Sequence, residues 1–210
     1  MTNGGEQADT LLVTQMNELR HRLRNHLQNM TSLISLQIRR ARNAEAIEAL
    51  EDLRARFASI TSIYIDLDDS SDRPIALDRF VPDLVRRIGA LYDPDGEHTA
   101  RFNVAPVTLP GQRAALLGQI VVELVMNVYR HAFAGRAGGT VAVELSAADD
   151  EALLVIADDG PGLGQPDVQR KHFGFTIVAG LAKGLNGTFE HERGGGLVTR
   201  VRFPLDGAHD

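Results

Sequence analysis

The chain has no cysteine and no tryptophan. Without thiols it can form no disulfide, use no thiolate nucleophile and build no Cys-ligated zinc site, which suits a reducing compartment. No apolar run approaches the roughly 18 residues that a membrane-spanning helix needs. The opening MTNGGEQADT lacks the basic and apolar segments of a secretory signal. The formal net charge is −6, with no basic block to set against it. Neither nucleic acid nor a membrane surface is therefore expected as a partner, and the expected location is cytoplasmic. What remains is an ordinary apolar content, 43% of 210 residues, enough to bury one large core or two small ones.

Two regimes of periodicity divide the chain. Leu12, Met16, Leu19, Leu23, Leu27, Met30 and Ile34 recur every three or four positions, as one stripe of a long amphipathic helix does. Ile47, Leu50, Leu53, Phe57, Ile60, Tyr64 and Leu67 repeat the pattern, with Asn43 placed as an N-cap. The pair predicts a helical hairpin over residues 10–69. Two single-stripe helices bury little alone, whereas two hairpins make a four-helix bundle, so a homodimer is expected. The polar stretch DDSSDRP at 68–74 reads as a linker. A second domain over 75–206 then alternates helix 77–92, a strand near 100–105, helix 112–132, strands 140–146 and 151–157, helix 174–186, and strands 187–192 and 197–203. That order predicts an α+β chain whose second part is a two-layer α/β sandwich, helices on one face of a mixed sheet. The polar segment between Gly162 and Gly174 reads as a short lid.

Three segments carry the residues for chemistry. In ELRHRLRNHLQ (18–28), a helical turn of about 100° per residue sets His21 opposite the apolar stripe, with Glu18 and Asn25 on its own side. A neutral imidazole is a competent nucleophile, Glu18 can orient it or accept its proton, and Asn25 can hydrogen-bond a phosphoryl group or position a water. His26 falls toward the margin of the stripe, where an imidazole is expected to pack. The same residues also suit a plain solvated helix face.

In ELVMNVYRHAF (123–133), Glu123, Asn127, Arg130 and His131 share one face and Leu117, Val121, Leu124 and Val128 another. The Asn127 amide oxygen can ligate Mg²⁺, and Arg130 and His131 can offset phosphate charge. An ordinary exposed polar face is the alternative. In ADDGPGL (157–163), Asp158 ends a buried strand, where its carboxylate can accept a hydrogen bond from an exocyclic amine such as that of adenine. Gly160 and Gly162 let backbone approach a ligand, although Asp-Gly and Pro-Gly are also common turn residues. Gly174 is read as opening a helix whose free N–H groups can face phosphates. His98, His172, His191 and His209 show no metal-ligand spacing and are read as surface or satisfied residues.

In this order and spacing the segments resemble the two-component histidine kinases whose phosphoacceptor box reads His-Arg-x-x-Asn-x-Leu-Gln. The resemblance runs from about 12 to 204, with HRLRNHLQNMTSLISLQ as that box, ELVMNVYRHAF as the N-box, DDGPGL as the G1 box and FGFTIVAGLAKGLNG as the G2 region. It implies a dimerisation and phosphotransfer hairpin followed by a GHKL (Bergerat-type) ATPase domain, shared with gyrase. On that pattern His21 is the phosphoacceptor, Asn127 the Mg²⁺ ligand and Asp158 the adenine contact, while Gly160, Gly162 and Gly174 shape a pocket for ATP. His26 replaces a usual Asn, Phe175 a usual Leu, and Leu197 stands where a Thr is frequent. With about ten residues ahead of the hairpin, the input is expected from a separate sensor or upstream signalling protein.

The expected function is a histidine kinase that phosphorylates His21 from ATP and passes the group to an Asp on a response regulator receiver domain. The alternative is a histidine phosphotransferase, or pseudokinase, with the same dimer and His21 but no ATP-driven step. An anti-sigma-factor kinase of the same ATPase superfamily is disfavoured by the histidine-bearing hairpin.

Overall fold

The computed structural model describes Glu18, Arg22 and residues 25–68, 74–161 and 168–205. The chain forms two compact units, Met1–Asp69 and Ser70–Asp210.

In the first unit a helix over 25–40 (α1) is followed by three linking residues and by α2, Ala44–Asp68. Asn43 caps α2. Its Oδ1 accepts the Glu45 N–H at 2.8 Å and its carbonyl the Ile47 N–H at 3.0 Å, satisfying donors that the first turn leaves open. Among the described residues of this unit only Ile34, Thr61 and Ile63 are buried, while Met30, Leu33, Leu36 and Leu53 remain exposed. His26 is exposed as well, against the expectation that it packs, because the apolar stripe beside it is itself uncovered.

The second unit is the two-layer sandwich expected. Its strands are β1 (Ile75–Ala76), β2 (Thr99–Val104), β3 (Thr108–Leu109), β4 (Thr140–Ala148), β5 (Glu151–Asp158), β6 (Thr188–Gly194) and β7 (Gly196–Pro204). Its helices are α3 (Leu77–Tyr92), α4 (Gly111–Asn127) and α5 (Val168–Gly184). Five strands form one sheet in the order β2-β4-β5-β7-β6, with β2 parallel to β4 and the other pairs antiparallel. Residues alternate across it as the period of two requires. Val141, Val143, Leu145, Leu154, Ile156, Val201 and Phe203 are buried on one face, and Glu144, Ser146 and Arg202 are exposed on the other. The two-residue pair β1–β3 was too short to leave a periodic signal.

Two further departures from the sequence reading matter for function. Helix α5 begins at Val168, so the part of the predicted lid from 168 onward is helical and Gly174 lies inside the helix instead of opening it. Its N–H is thus beyond the four that a helix N-terminus leaves open. Residues 162–167, Gly162 among them, lie outside the described residues.

After α3 the chain turns on Asp93, whose carboxylate accepts the N–H groups of Glu97 at 2.9 Å and His98 at 2.8 Å. The His98 ring is a structural part of the core edge: its side chain is 10% exposed, 3.3 Å from Asp93 and stacked on Phe133 at 4.4 Å. Burial raises the Asp93 pKa. The backbone N–H bonds from His98 and Glu97, joined by the His98 side chain, outweigh it and hold the carboxyl below its ordinary value. A depressed folded-state pKa stabilises above the unfolded value, about 3.9, and that contribution fades as pH falls through the folded value. Asp93→Asn is therefore expected to lower stability at neutral pH, with the gap to wild type narrowing below about pH 4. Urea midpoints across an acid series measure this, and a gap independent of pH would refute the charge argument.

Candidate functional site

Helix α4 packs against both α3 and α5, and every residue from Ile120 to Tyr129 is buried. Its polar face is not the exposed one that the alternative reading required. Glu123 is 5% exposed and Asn127 9%. They stand one turn apart and face α5 at Gly174, where a Cβ would lie 3.0 Å from Asn127 Nδ2 and 3.2 Å from Glu123 Oε1. Asn127 Nδ2 is buried with no hydrogen-bond partner among the described residues. An unmet amide costs about 1–3 kcal/mol in a protein interior, so a position that keeps one points to a ligand. A 180° turn of the amide exchanges nitrogen and oxygen, and an amide oxygen there is a suitable donor to a hard cation such as Mg²⁺.

Beyond Asn127 the helix widens into a π-turn, Val128–Ala132, closed by the Phe133 N–H on the Val128 carbonyl at 3.2 Å. The extra residue breaks the regular progression from which one shared face was read. Glu123 and Asn127 look toward α5, but Arg130 lies by Tyr92 at the end of α3, its Nη2 donating to the tyrosine hydroxyl at 3.0 Å. His131 is half-buried. Ala132 meets Gly160, where an added Cβ would fall 2.5 Å from the Ala132 Cβ. No feature of the sequence announced the π-turn.

Asp158 ends β5 and organises the turn after it. Its Oδ1 accepts the Gly160 N–H at 2.9 Å and, more weakly, the Leu197 N–H at 3.4 Å. Gly196 fits closely beneath it: at φ +154, a Cβ would lie 1.8 Å from the Asp158 carbonyl oxygen. The register continues Ala157↔Val198 and Ile156↔Thr199. Thr199 is therefore two residues further along the strand from Leu197, its buried hydroxyl donating to the Ile156 carbonyl at 2.9 Å. Arg136 braces the turn from outside, donating to the Asp159 carbonyl at 2.9 Å with the Asp159 carboxylate 3.5 Å away. Sequence reasoning missed Tyr92, Arg136, Gly196 and Thr199. Only the Gly194–Gly196 run could have signalled any of them.

Contacts thus link Asp158 through Gly160 to Ala132, and the same helix end carries Asn127 against Gly174. His21 lies outside the described residues. In the first unit Glu18 is exposed and paired with Arg22, and Asn25 is exposed.

A mixed sheet with helices on one face and buried polar groups at the end of α4 is the layout of a domain of the Bergerat ATPase class. One family model, described as histidine kinase-, DNA gyrase B- and HSP90-like ATPase, matches residues 112–207, and a second, described as histidine kinase, matches 18–92. Together they take in most of the chain, which belongs to the histidine kinases. It is 30% identical over 205 residues to blue-light-activated histidine kinase 2 of Erythrobacter litoralis, covering 93% of this chain and 58% of that protein. With the sensor histidine kinase PdtaS of Mycobacterium tuberculosis it shares 32% identity over 194 residues, 88% of this chain and 38% of that one. The chain thus spans about half the length of these relatives. The solved histidine kinase domain of the E. litoralis EL346 blue-light-activated kinase superposes with a TM-score of 0.65 at 20% identity, over 86% of this chain and 96% of that one. That likeness concerns the fold. No described helix is long and apolar enough to cross a membrane.

The contact of Gly196 with Asp158 has a testable consequence. Gly196→Ala puts a methyl group into the Asp158 carbonyl and is expected to lower Tm by several degrees. Gly195→Ala, with nothing within 4 Å, should leave it near wild type. Calorimetry on the two variants measures this, and equal melting temperatures would show that the turn yields.

Proposed function

We propose that this chain is an ATP-dependent protein-histidine kinase that phosphorylates His21 and hands the phosphoryl group to an Asp of a response regulator receiver domain. The observation that carries the proposal is the buried, unmet Asn127 amide opposite Gly174, on the helix whose end meets the Asp158 turn through Ala132 and Gly160. The unmet amide adds nothing to packing, and a phosphotransferase that never bound ATP would have no use for it.

In this reading Asp158 accepts a hydrogen bond from the adenine amine. Its Oδ1 is held by the Gly160 N–H. Asn127 would hold Mg²⁺, with Glu123 beside it. A divalent ion bound there supplies charge neutralisation between the phosphates. Arg130 and His131 serve the phosphate tail. An imidazole nitrogen of His21 forms the new N–P bond as the bond from the γ-phosphorus to the bridging oxygen breaks and ADP leaves, while the imidazole N–H proton passes to Glu18 or water. Glu18 reaches that role by leaving Arg22, an exposed pair worth about 1 kcal/mol or less. Asn25 orients a water for removal of the phosphoryl group from the regulator. The uncovered Met30, Leu33, Leu36 and Leu53 support a homodimer through the N-terminal helices.

Incubation with γ-labelled ATP and Mg²⁺ is expected to give acid-labile, base-stable label that His21→Ala abolishes and His26→Ala retains. Label surviving in folded His21→Ala would place the chemistry elsewhere. Asp158→Asn, nearly isosteric, should leave the fold intact yet remove the rise in Tm that millimolar ATP gives wild type. Wild-type protein with no such rise would favour the ATP-independent phosphotransferase.

A further inference from the structure

We infer that Tyr92 is a positioning residue for Arg130, setting its guanidinium for the polyphosphate tail of the nucleotide. The inference rests on the ATP-dependent reading above and deepens it by naming a residue that no motif contains. Arg130 stands three residues past Asn127 on the π-turn, and it is the residue to which the proposed function gives the phosphate tail. An arginine side chain loses much rotamer freedom when it is fixed, and here it is already restrained twice. Its Nη2 donates to the Tyr92 hydroxyl at 3.0 Å, and its Cζ lies 5.5 Å from the centre of the Tyr92 ring.

Tyr92 is restrained in turn. Its ring lies nearly parallel to that of Tyr129, 6.2 Å away at 18°. Tyr129 is buried, meets Phe133 edge-on at 5.5 Å and sets its hydroxyl against Gly89, where a Cβ would come within 2.9 Å. Burial, and then the nearby Asp93 charge, raise the Tyr129 pKa, so its phenol stays neutral and adds no competing anion. The result is a ladder from α3 to the π-turn with a guanidinium on its last rung. A guanidinium carries its donors in a fixed plane, so the ring face and the Nη2 bond that set that plane set the direction from which phosphate oxygens can be met bidentately.

Titration calorimetry of the full chain with ATP, ADP and adenosine in Mg²⁺ tests this on wild type, Tyr92→Leu, Tyr92→Phe, Arg130→Ala and the Tyr92→Leu/Arg130→Ala double variant. Tyr92→Leu is expected to weaken ATP by about tenfold, in the range of a charged hydrogen bond, ADP by less and adenosine not at all. Tyr92→Phe, which keeps the ring and loses the hydroxyl, should recover part of the loss. The double variant should be no weaker than Arg130→Ala, since the tyrosine acts through the arginine. Equal losses for all three ligands would mean a merely structural tyrosine, additive losses independent action, and tighter ATP binding in Tyr92→Leu a restraint that withholds Arg130; each overturns the inference. Weakened ATP binding in Arg130→Ala alone would overturn it while sparing the kinase reading. Wild type that binds no ATP would overturn both.

Discussion

The second unit depends on keeping two polar side chains, Glu123 and Asn127, inside the helix that forms its core. Apolar residues of similar size there would pack without desolvation cost, so the helix gives up stability to hold an amide whose nitrogen meets no donor or acceptor among the described residues. The neighbour of that amide reflects its presence. Gly174 supplies the space that any side chain would fill, and the rest of α4 is built from buried apolar residues.

The π-turn is the second constraint, and it follows directly on the first. A continuous α-helix through 132 would keep Arg130 and Asn127 on one face, as the regular period suggests. The inserted residue instead sends Arg130 toward α3 and brings Ala132 against Gly160. One helix end then serves three walls: α5 through Asn127, the β5 turn through Ala132, and α3 through Arg130. Single-turn π segments carry a cost in hydrogen-bond geometry and persist where they re-aim side chains at a functional site.

Much of the architecture was legible because it rests on periods. The alternation in β4, β5 and β7 and the apolar residues of α3 and α4 placed those elements within a few residues, and Asn43 marked the start of α2 through its capping oxygen. What the sequence hid was non-periodic. The early start of α5 falls in a polar, turn-rich run where Asp167 reads equally as a turn residue or a helix cap, the β1–β3 pair is two residues long, and the π-turn has no residue preference to read. The burial of Glu123 and Asn127 was hidden for a different reason. Their spacing is that of an ordinary polar face, and only the packing of α5 across it shows that the face is closed. Tyr92 and Thr199 were missed because each acts through a tertiary contact that no local pattern encodes.

On the proposed reading the two ends of the site are held by different physics, which bears on how it would both select a nucleotide and release its product. At the Asp158 end the restraint is steric: Gly160 against Ala132, and Gly196 against the Asp158 carbonyl, leave no room for even a methyl group. Such contacts do not respond to ligand charge, so the hydrogen-bond geometry offered to a purine is the same before and after reaction. At the Asn127 end the restraint is polar, an unmet amide and an arginine on an aromatic ladder, and polar attraction scales with the charge it faces. On the proposed reading, loss of a γ-phosphoryl group would remove charge only there. The base would then stay equally well recognised while the tail is held less strongly, so product would weaken at the end where the chemistry had occurred.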